Sequence, residues 1–389
     1  MSGSRKHERT IPVRWSLFAG FALLVVLIAG AVLTISLVKG DDLTEKMARP
    51  LIETAQNRMD GELHRLFDPI TREAARAYAW VANGLVERYD PDALMKLFLP
   101  GMLQLPQCVS MMVSDRTGYE FTIFRNGLGG QGNGSGGEAG WMTRDFRRHG
   151  RPASWPEPAR WTLWDERGGE RLRTWWEKPS WTVEEVLKHR TSGTHPYNVG
   201  PDVLLYDPRR RFWHQGSKVR YRDREPAEVA RHPREAVYWT DVDYFFTSKA
   251  PGITVSIAAR DPRGEMVIVA YDLLLGDLSS FTTALRPTEQ GKAFVFTGSG
   301  RVIGLPHDER FRERPSIQET ILRPVEETGV PELAAGMRQW KKLGAGRETQ
   351  PFRFQSLGRS WWGGIRPFPI SVERSLWLGV VLPESDLIG

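Results

Sequence analysis

An uninterrupted apolar segment is the first feature of the hydrophobic pattern along the chain. It runs from Trp15 to Val38 and contains no charged residue. As a helix rising about 1.5 Å per residue it would be roughly 36 Å long, which suffices to cross a hydrocarbon core of about 30 Å. Basic residues precede the segment, whereas Lys39 is soon followed by Asp41 and Asp42. The positive-inside bias therefore predicts a transmembrane helix at 15–38 and a cytoplasmic tail at 1–14.

The alternative interpretation of this segment is a cleaved secretory signal. Such signals have shorter apolar cores and close with a small-x-small cleavage pattern, which does not follow Val38. We therefore expect a single-pass protein of the inner (plasma) membrane whose bulk is periplasmic or extracellular.

Apolar residues recur at helical spacing directly after the membrane segment. The pattern predicts a long stalk helix at 39–90, either continuous or divided near Asp68. Pro50 and Pro69 are expected to kink this helix rather than end it. A long helix continuous with a membrane span suits mechanical or dimeric coupling to the bilayer, so we expect a homodimer through the stalk helix.

Beyond residue 90 the hydrophobic period changes to that of β-strands. Three pairs of apolar runs are joined by glycine-containing turns, and one further run lies near the C-terminus: 108–125, 254–271, 293–303 and 376–382. Such hairpins, flanked by helices, predict antiparallel sheets in an α+β architecture.

Composition narrows the classes of function. Hydrophobic residues make up 40% and charged residues 26% of the chain, as in ordinary globular proteins, and the length suggests two modules. The single Cys108 excludes an internal disulfide framework and a Cys-based metal cluster. Because the histidines show no metal-site spacing, we expect no metal and no cofactor. The net charge of +6 lies partly in the basic tail, so it gives no indication of nucleic-acid binding.

A tryptophan-rich region at 127–200 interrupts the strand pattern. It opens with a glycine-rich stretch, Gly127 to Gly140, which predicts a flexible loop and lacks the Gly-Lys-Ser/Thr ending of a phosphate-binding loop. About half of the 15 tryptophans follow between Trp141 and Trp181. They either fill the small core of an insertion over the sheet edge, which we favour, or form an aromatic platform for a sugar, an amine or a partner protein.

Five stretches carry a resemblance to a known family. They are Leu204–Gly216 with its Arg-x-Trp motif, Val237–Thr254, Val267–Leu278, Gly291–Ile303 and Trp377–Leu387. In this order they resemble the double Cache (dCache) sensor domains of bacterial signal-transduction receptors, over residues 40–389 apart from the tryptophan-rich region. The resemblance implies two stacked PAS-like antiparallel-sheet modules, a membrane-distal one at 91–286 with the insertion at 127–200, and a membrane-proximal one at 287–389.

Members of this family that bind α-amino acids share a sequence signature. A Tyr is separated by four residues from an Arg, and the Arg by one residue from a Trp-Tyr pair. A further Tyr and an Asp follow later in the chain. His214 replaces the Tyr after Trp, and the later Tyr is either present or shifted by one position at Asp243-Tyr244. The resemblance implies that Arg holds a ligand carboxylate, that Asp holds the ammonium, and that aromatic side chains wall the pocket. It implies these ligand-binding residues: Tyr206, Arg211, Trp213, His214, Asp243, Tyr244 and Asp272.

Two alternatives stay open for this set of residues. An extra carboxylate at Asp243 would favour a cationic ligand such as a diamine. In family members without an amino-acid ligand, the corresponding Arg and Trp are structural, which would apply here to Arg211 and Trp213.

The resemblance implies a non-catalytic sensor. A small molecule, such as an amino acid or an amine, would close the distal pocket and shift the stalk helix by a population shift between two states. The chain shows no nucleophile elbow and no kinase, cyclase or methyl-accepting region. We therefore expect either the sensor part of a longer receptor, with an output enzyme such as a cyclase or kinase beyond this chain, or a stand-alone sensor on one anchor. The alternative, from another class, is an anchored periplasmic hydrolase or glycan-binding protein that uses the tryptophan-rich region.

Overall fold

A computed structural model of the chain describes residues 13–125, 140–147, 152–155, 159–176, 206–245, 250–344 and 350–388. Over these residues the helices are α1 (Val13–Ala82), α2 (Pro91–Leu103), α3 (Phe212–Arg220), α4 (Pro226–Arg231), α5 (Pro233–Ala236), α6 (Gly276–Ala284), α7 (Arg314–Thr320), α8 (Pro331–Lys342) and α9 (Ser385–Ile388). The strands of the first sheet are β1 (Cys108–Asp115), β2 (Tyr119–Arg125), β3 (Trp141–Arg147), β4 (Ala159–Trp164), β5 (Arg171–Trp176), β6 (Tyr238–Trp239), β7 (Asp243–Tyr244), β8 (Pro251–Arg260) and β9 (Met266–Leu274). Those of the second sheet are β10 (Lys292–Thr297), β11 (Val302–Gly304), β12 (Phe352–Ser356), β13 (Arg359–Pro369) and β14 (Ser375–Pro383).

Helix α1 is the longest element, and it continues through both Pro50 and Pro69. From Ala48 to Val81 its buried residues recur every three or four positions and pack against both sheets. Within the described part of the chain, no helix is both long and apolar enough to cross a membrane. The side chains of residues 13–20 and 31–42 lie outside the described part of the chain. Much of the span predicted at 15–38 falls on these residues.

All of the described strand pairs are antiparallel, which confirms the predicted α+β class. The first sheet has the order β5-β4-β3-β2-β1-β9-β8-β6, with β7 also paired to β8. The second sheet has the order β11-β10-β14-β13-β12. In both sheets the hairpins predicted from apolar runs and glycine turns are formed by neighbouring strands, because such turns reverse the chain locally.

The two sheets pack against different stretches of α1. The second sheet meets the earlier stretch, where Gln56 donates to the carbonyl of Leu378 and Arg366 forms an ion pair with Asp60 at 3.2 Å. The first sheet meets the later stretch, where the ring of Phe67 lies 5.1 Å from that of Trp239. The second sheet is therefore nearer the N-terminal end of α1.

The tryptophan-rich region differs from the predicted insertion over the sheet edge. Strands β3, β4 and β5 instead continue the first sheet outward from β2. Trp141 and Trp164 are buried, and the Trp164 Nε1 donates to Thr143 Oγ1 at 2.9 Å. The extra strands satisfy backbone groups that β2 would otherwise expose at an edge. The glycine-rich stretch from Gly127 and the last tryptophan of the region, Trp181, lie outside the described residues.

Candidate functional site

Alternation along the strands gives the first sheet two distinct faces. Apolar residues such as Met111 and Phe121 point to α1 and α2 and belong to the main core. The opposite face carries an unusual set of polar side chains, because Ser110 pairs with Asp272, and Asp272 in turn pairs with Thr254. We call this set the polar face; its members are Ser110, Glu120, Thr122, Arg144, Thr254 and Asp272.

Asp272 occupies the centre of the polar face. Its Oδ2 accepts from Ser110 Oγ and its Oδ1 accepts from Thr254 Oγ1, both at 2.6 Å. Burial raises the pKa of Asp272 to about 6, although the two hydroxyls and the nearby charge of Arg211 counteract the rise. No basic side chain among the described residues forms an ion pair with this carboxylate. At neutral pH it is therefore a half-buried negative charge that a ligand cation would suit.

Sequence reasoning missed a second carboxylate on the polar face, Glu120. Its Oε1 accepts from Thr122 Oγ1 at 3.1 Å and from Arg144 Nη1 at 3.2 Å, and its Oε2 accepts from the Tyr206 hydroxyl at 2.6 Å. The signal was present in β2, where Glu120 and Thr122 alternate with the apolar residues Tyr119 and Phe121. Polar residues at every second position of a strand place a polar face on one side of the sheet and an apolar face on the other.

Tyr206, which was predicted from the resemblance, lies on the polar face. Its ring meets that of Phe146 edge-on at 5.3 Å, and the guanidinium of Arg144 lies 4.5 Å from its ring centroid. Burial, together with the charge of Glu120, raises the pKa of the phenol well above its usual value. Tyr206 is therefore a neutral hydrogen-bond donor that orients the Glu120 carboxylate.

Arg211 combines exposure with a position close to the polar face. It is the residue before the first turn of α3, and its side chain forms no hydrogen bond or ion pair within the described part of the chain. Its charge nevertheless lowers the pKa values of both Asp272 and Tyr206, so its side chain is within electrostatic range of both groups. An exposed cation thus acts on the half-buried carboxylate of Asp272.

Trp213 and His214 attach α3 to the sheet. Trp213 packs in a small apolar cluster with Met112 and Ile268, and its carbonyl accepts from Ser256 Oγ at 2.8 Å. His214 Nε2 lies 3.4 Å from the carbonyl of Asp115, and burial lowers the pKa of this imidazole. Both residues follow Arg211 closely in sequence, but their contacts are those of core packing.

Asp243 and Tyr244 are exposed in the short strand β7. The Tyr244 hydroxyl donates to the carbonyls of Gln318 at 3.1 Å and Ile321 at 3.2 Å, on the side of the second sheet. Asp243 Oδ1 accepts from the amide of Tyr244. Of the seven predicted residues, the structure thus brings together Tyr206, Arg211 and Asp272. No group of His, Cys, Asp or Glu that could hold a metal ion occurs among the described residues.

No protein-family model and no curated protein matches the sequence. The chain is similar to the ligand-binding domain of the Pseudomonas fluorescens chemoreceptor CtaA in complex with L-isoleucine, at 12% identity and a TM-score of 0.46, over 91% of this chain and 98% of that chain.

Two further solved structures are similar over comparable lengths. The domain of the Pseudomonas aeruginosa amino acid chemoreceptor PctC with GABA has 10% identity and a TM-score of 0.46, over 86% of this chain and 100% of that chain. The sensory domain of the Campylobacter jejuni chemoreceptor Tlp3 with isoleucine has 9% identity and a TM-score of 0.48, over 90% of this chain and 97% of that chain. These structures are dCache sensor domains, the family that the sequence resembles.

Proposed function

We propose that the chain is the membrane-anchored, extracytoplasmic sensor region of a signal-transduction receptor and that it binds a small amino acid or amine on the polar face. One observation carries the proposal: the half-buried carboxylate of Asp272 is held by two hydroxyls and has no cation partner among the described residues, while the charge of Arg211 acts on it. An α-amino acid presents an ammonium and a carboxylate. Asp272 suits the first, and the planar fork of Arg211 suits the second.

The group formed by Glu120, Arg144 and Tyr206 has a different part in this proposal. The carboxylate of Glu120 already accepts three hydrogen bonds from the protein, so it does not need a ligand donor. A network whose members satisfy one another is rigid. We assign this group to the wall that sets the shape of the site.

Strand β9 offers a direct route from the site to α1. Asp272 lies on the polar face, whereas its neighbour Tyr271 is buried on the opposite face, in the core that includes α1. A ligand that binds Asp272 differently in two arrangements of β9 would therefore bias the position of α1. The shift cannot exceed the difference between the ligand's affinities for the two states.

An apolar stripe on α1 supports a homodimer through this helix. Leu43, Met47 and Leu51 are exposed and recur every fourth residue, so they lie on one side of α1. A second copy would remove this stripe from water. Met47→Glu should lower the dimer fraction measured by light scattering, whereas Val372→Glu, at an equally apolar exposed position in a turn, should not. A dimer fraction insensitive to Met47→Glu would contradict this interface.

The proposed membrane topology has its own test. Alkaline phosphatase fused after Gly389 should be active and a cytosolic reporter at the same point should be inactive, because the positive flank precedes the apolar segment. The opposite pattern would place the polar face in the cytoplasm and contradict an extracytoplasmic sensor.

Ligand binding is tested by thermal-shift screening of the full chain in detergent against amino acids, amines, organic acids and sugars. Arg211→Ala should leave the unliganded melting temperature unchanged and weaken carboxylate-bearing ligands about tenfold or more, since a charged hydrogen bond contributes about 1.5–3 kcal/mol. Arg209→Ala is the matched control, because Asp207 already holds that guanidinium at 2.8 and 2.9 Å. Stabilisation by sugars alone would favour the glycan-binding alternative.

A further inference from the structure

Two large apolar side chains of α3 are exposed on the same face of this helix. Phe212 is 74% and Val219 is 78% exposed, and the two residues lie seven positions apart. Seven residues make about two helical turns, so both side chains point to one side of the helix, about 10 Å apart along its axis. Exposed apolar side chains that are grouped beside a groove indicate an interaction surface, whereas singly scattered ones do not.

The space beside this face of α3 is an open groove of about 480 Å³, which we call the α3 groove. Phe212, Gly216, Val219 and Tyr238 are among the residues that line it. Gly216 lies between the two apolar side chains on the same face, and the ring of Tyr238 packs directly against it. A Cβ at position 216 would overlap this ring. The glycine therefore lets an aromatic ring line the groove between the two exposed side chains.

Four of the five charged residues that line the α3 groove are paired with one another. Arg220 forms an ion pair with Glu373, in the turn between β13 and β14, and Arg224 Nη1 lies 3.2 Å from Glu235 Oε2. The fifth, Arg222, is exposed, and its guanidinium donates to two neighbouring backbone carbonyls. It has no carboxylate partner among the described residues. The groove thus presents an uncompensated positive charge beside its apolar side chains.

The wider surface around α3 is strongly basic. Residues 209–224 contain seven basic side chains and one acidic side chain, Asp223. Lys218 is exposed and, like Arg222, pairs with no carboxylate within the described part of the chain. A surface that combines apolar side chains with unpaired positive charge is complementary to an acidic surface that carries apolar side chains of its own.

We propose that the α3 groove is the docking surface for a different protein, which presents apolar side chains within an acidic segment. The apolar side chains of the partner pack against Phe212 and Val219, and a neighbouring carboxylate pairs with Arg222. Because Glu373 also lines the groove, the partner contacts both the first module and a turn of the second. The surface is separate from the polar face and does not depend on the function proposed for that face.

Two other occupants fit the α3 groove less well. In a two-fold dimer through the groove, the basic residues of each copy would face those of the other, which is unfavourable. An anionic membrane would suit the charge, but α3 packs against β6, where Trp239 meets Phe67 of α1. Phe67 lies 29 residues beyond Val38 in the same helix, which corresponds to roughly 40 Å from the end of the apolar segment.

The test uses the full chain in phosphatidylcholine nanodiscs and a fluorescein-labelled synthetic peptide of glutamates around two leucines. The peptide should bind saturably in fluorescence anisotropy. Phe212→Ala should raise its Kd about tenfold, as expected for the loss of a large buried apolar side chain, and Val219→Ala should raise it less. Leu357→Ala is the matched control, because Leu357 is equally exposed in the turn between β12 and β13, and it should leave the Kd unchanged.

A second pair of variants separates a specific charge contact from diffuse attraction. Arg222→Gln should weaken binding and reduce its dependence on salt. Arg209→Gln removes the same charge from the same basic segment, but Asp207 already pairs with that guanidinium at 2.8 Å, so its effect should be clearly smaller. A peptide in which serines replace the leucines keeps its charge and should bind about tenfold more weakly or worse. Unaltered melting temperatures show that the variants are folded.

The proposal is overturned by the absence of saturable binding, by equal binding of the serine peptide, by equal effects of Phe212→Ala and Leu357→Ala, or by equal effects of the two arginine substitutions. A dimer fraction that Phe212→Ala lowers would assign the α3 groove to a second copy of this chain. Co-sedimentation of the nanodiscs with phosphatidylglycerol vesicles that Phe212→Ala abolishes would assign it to a membrane. Either of these results also overturns the proposal.

Discussion

Asp272→Asn should stabilise the unliganded protein at neutral pH and, in the same variant, abolish binding of ammonium-bearing ligands. The amide has the shape of the carboxylate it replaces. Because the hydroxyls of Ser110 and Thr254 can both donate and accept, the Asn side chain can keep a hydrogen bond with each. The substitution therefore removes the half-buried charge and little else.

The pKa of Asp272 sets the size and sign of the effect. Its rise from 3.8 to about 6 corresponds, at about 1.4 kcal/mol per unit, to about 3 kcal/mol. A raised pKa means that the folded state binds the proton more tightly than the unfolded state. The contribution of Asp272 to stability is then most favourable below about pH 4, and up to this amount is lost as the pH rises through about 6. Asp272→Asn removes this loss, so the two proteins should differ at neutral pH and agree in acid.

Urea unfolding of the full chain in detergent, followed by tryptophan fluorescence at about pH 4 and about pH 7, measures this difference. The matched control is Asp261→Asn in the turn of the same hairpin. The carboxylate of Asp261 pairs with Arg88 at 3.1 Å, so its loss should lower stability at neutral pH.

The reasoning about Asp272 is refuted if Asp272→Asn lowers the free energy of unfolding equally at both pH values. The ammonium contact is refuted if the best amine from the screen stabilises the variant as much as it stabilises the wild type. In either case the carboxylate would be a structural part of the sheet.

Three further substitutions test contacts on the polar face and elsewhere in the protein. Glu120→Ala breaks the buried ion pair with Arg144, so it should lower the free energy of unfolding by about 3 kcal/mol or more in urea titrations. A loss below about 1 kcal/mol would contradict a buried pair. Gly364→Ala should lower the free energy of unfolding by about 1–3 kcal/mol in the same measurement, because a Cβ there would overlap Ile52 of α1. An unchanged stability would show that α1 moves to accommodate the methyl group. Tyr244→Phe should leave amino-acid affinity unchanged in calorimetry, since its hydroxyl donates to carbonyls on the side of the second sheet; a tenfold loss of affinity would return Tyr244 to the site.

Local sequence signals predicted the elements of this protein well, for a physical reason. Helical and strand periods, and the turns between paired strands, depend on residues within a few positions of one another. The hairpin at 108–125 and the buried part of α1 follow from such patterns, as does the continuation of the hydrophobic period past Pro69. Tyr206, Arg211 and Asp272 were predicted as site residues from a family resemblance rather than from a local pattern.

The composition of the polar face was decided by tertiary structure alone. Ser110 and Asp272 are 162 residues apart in sequence, and they meet only because β1 pairs with β9. Glu120 forms its ion pair with Arg144 because β3 extends the sheet beyond β2. The sequence analysis expected an insertion over this edge instead. Pairing between distant strands is chosen by the packing of whole faces, and the sequence around one strand does not encode its partner.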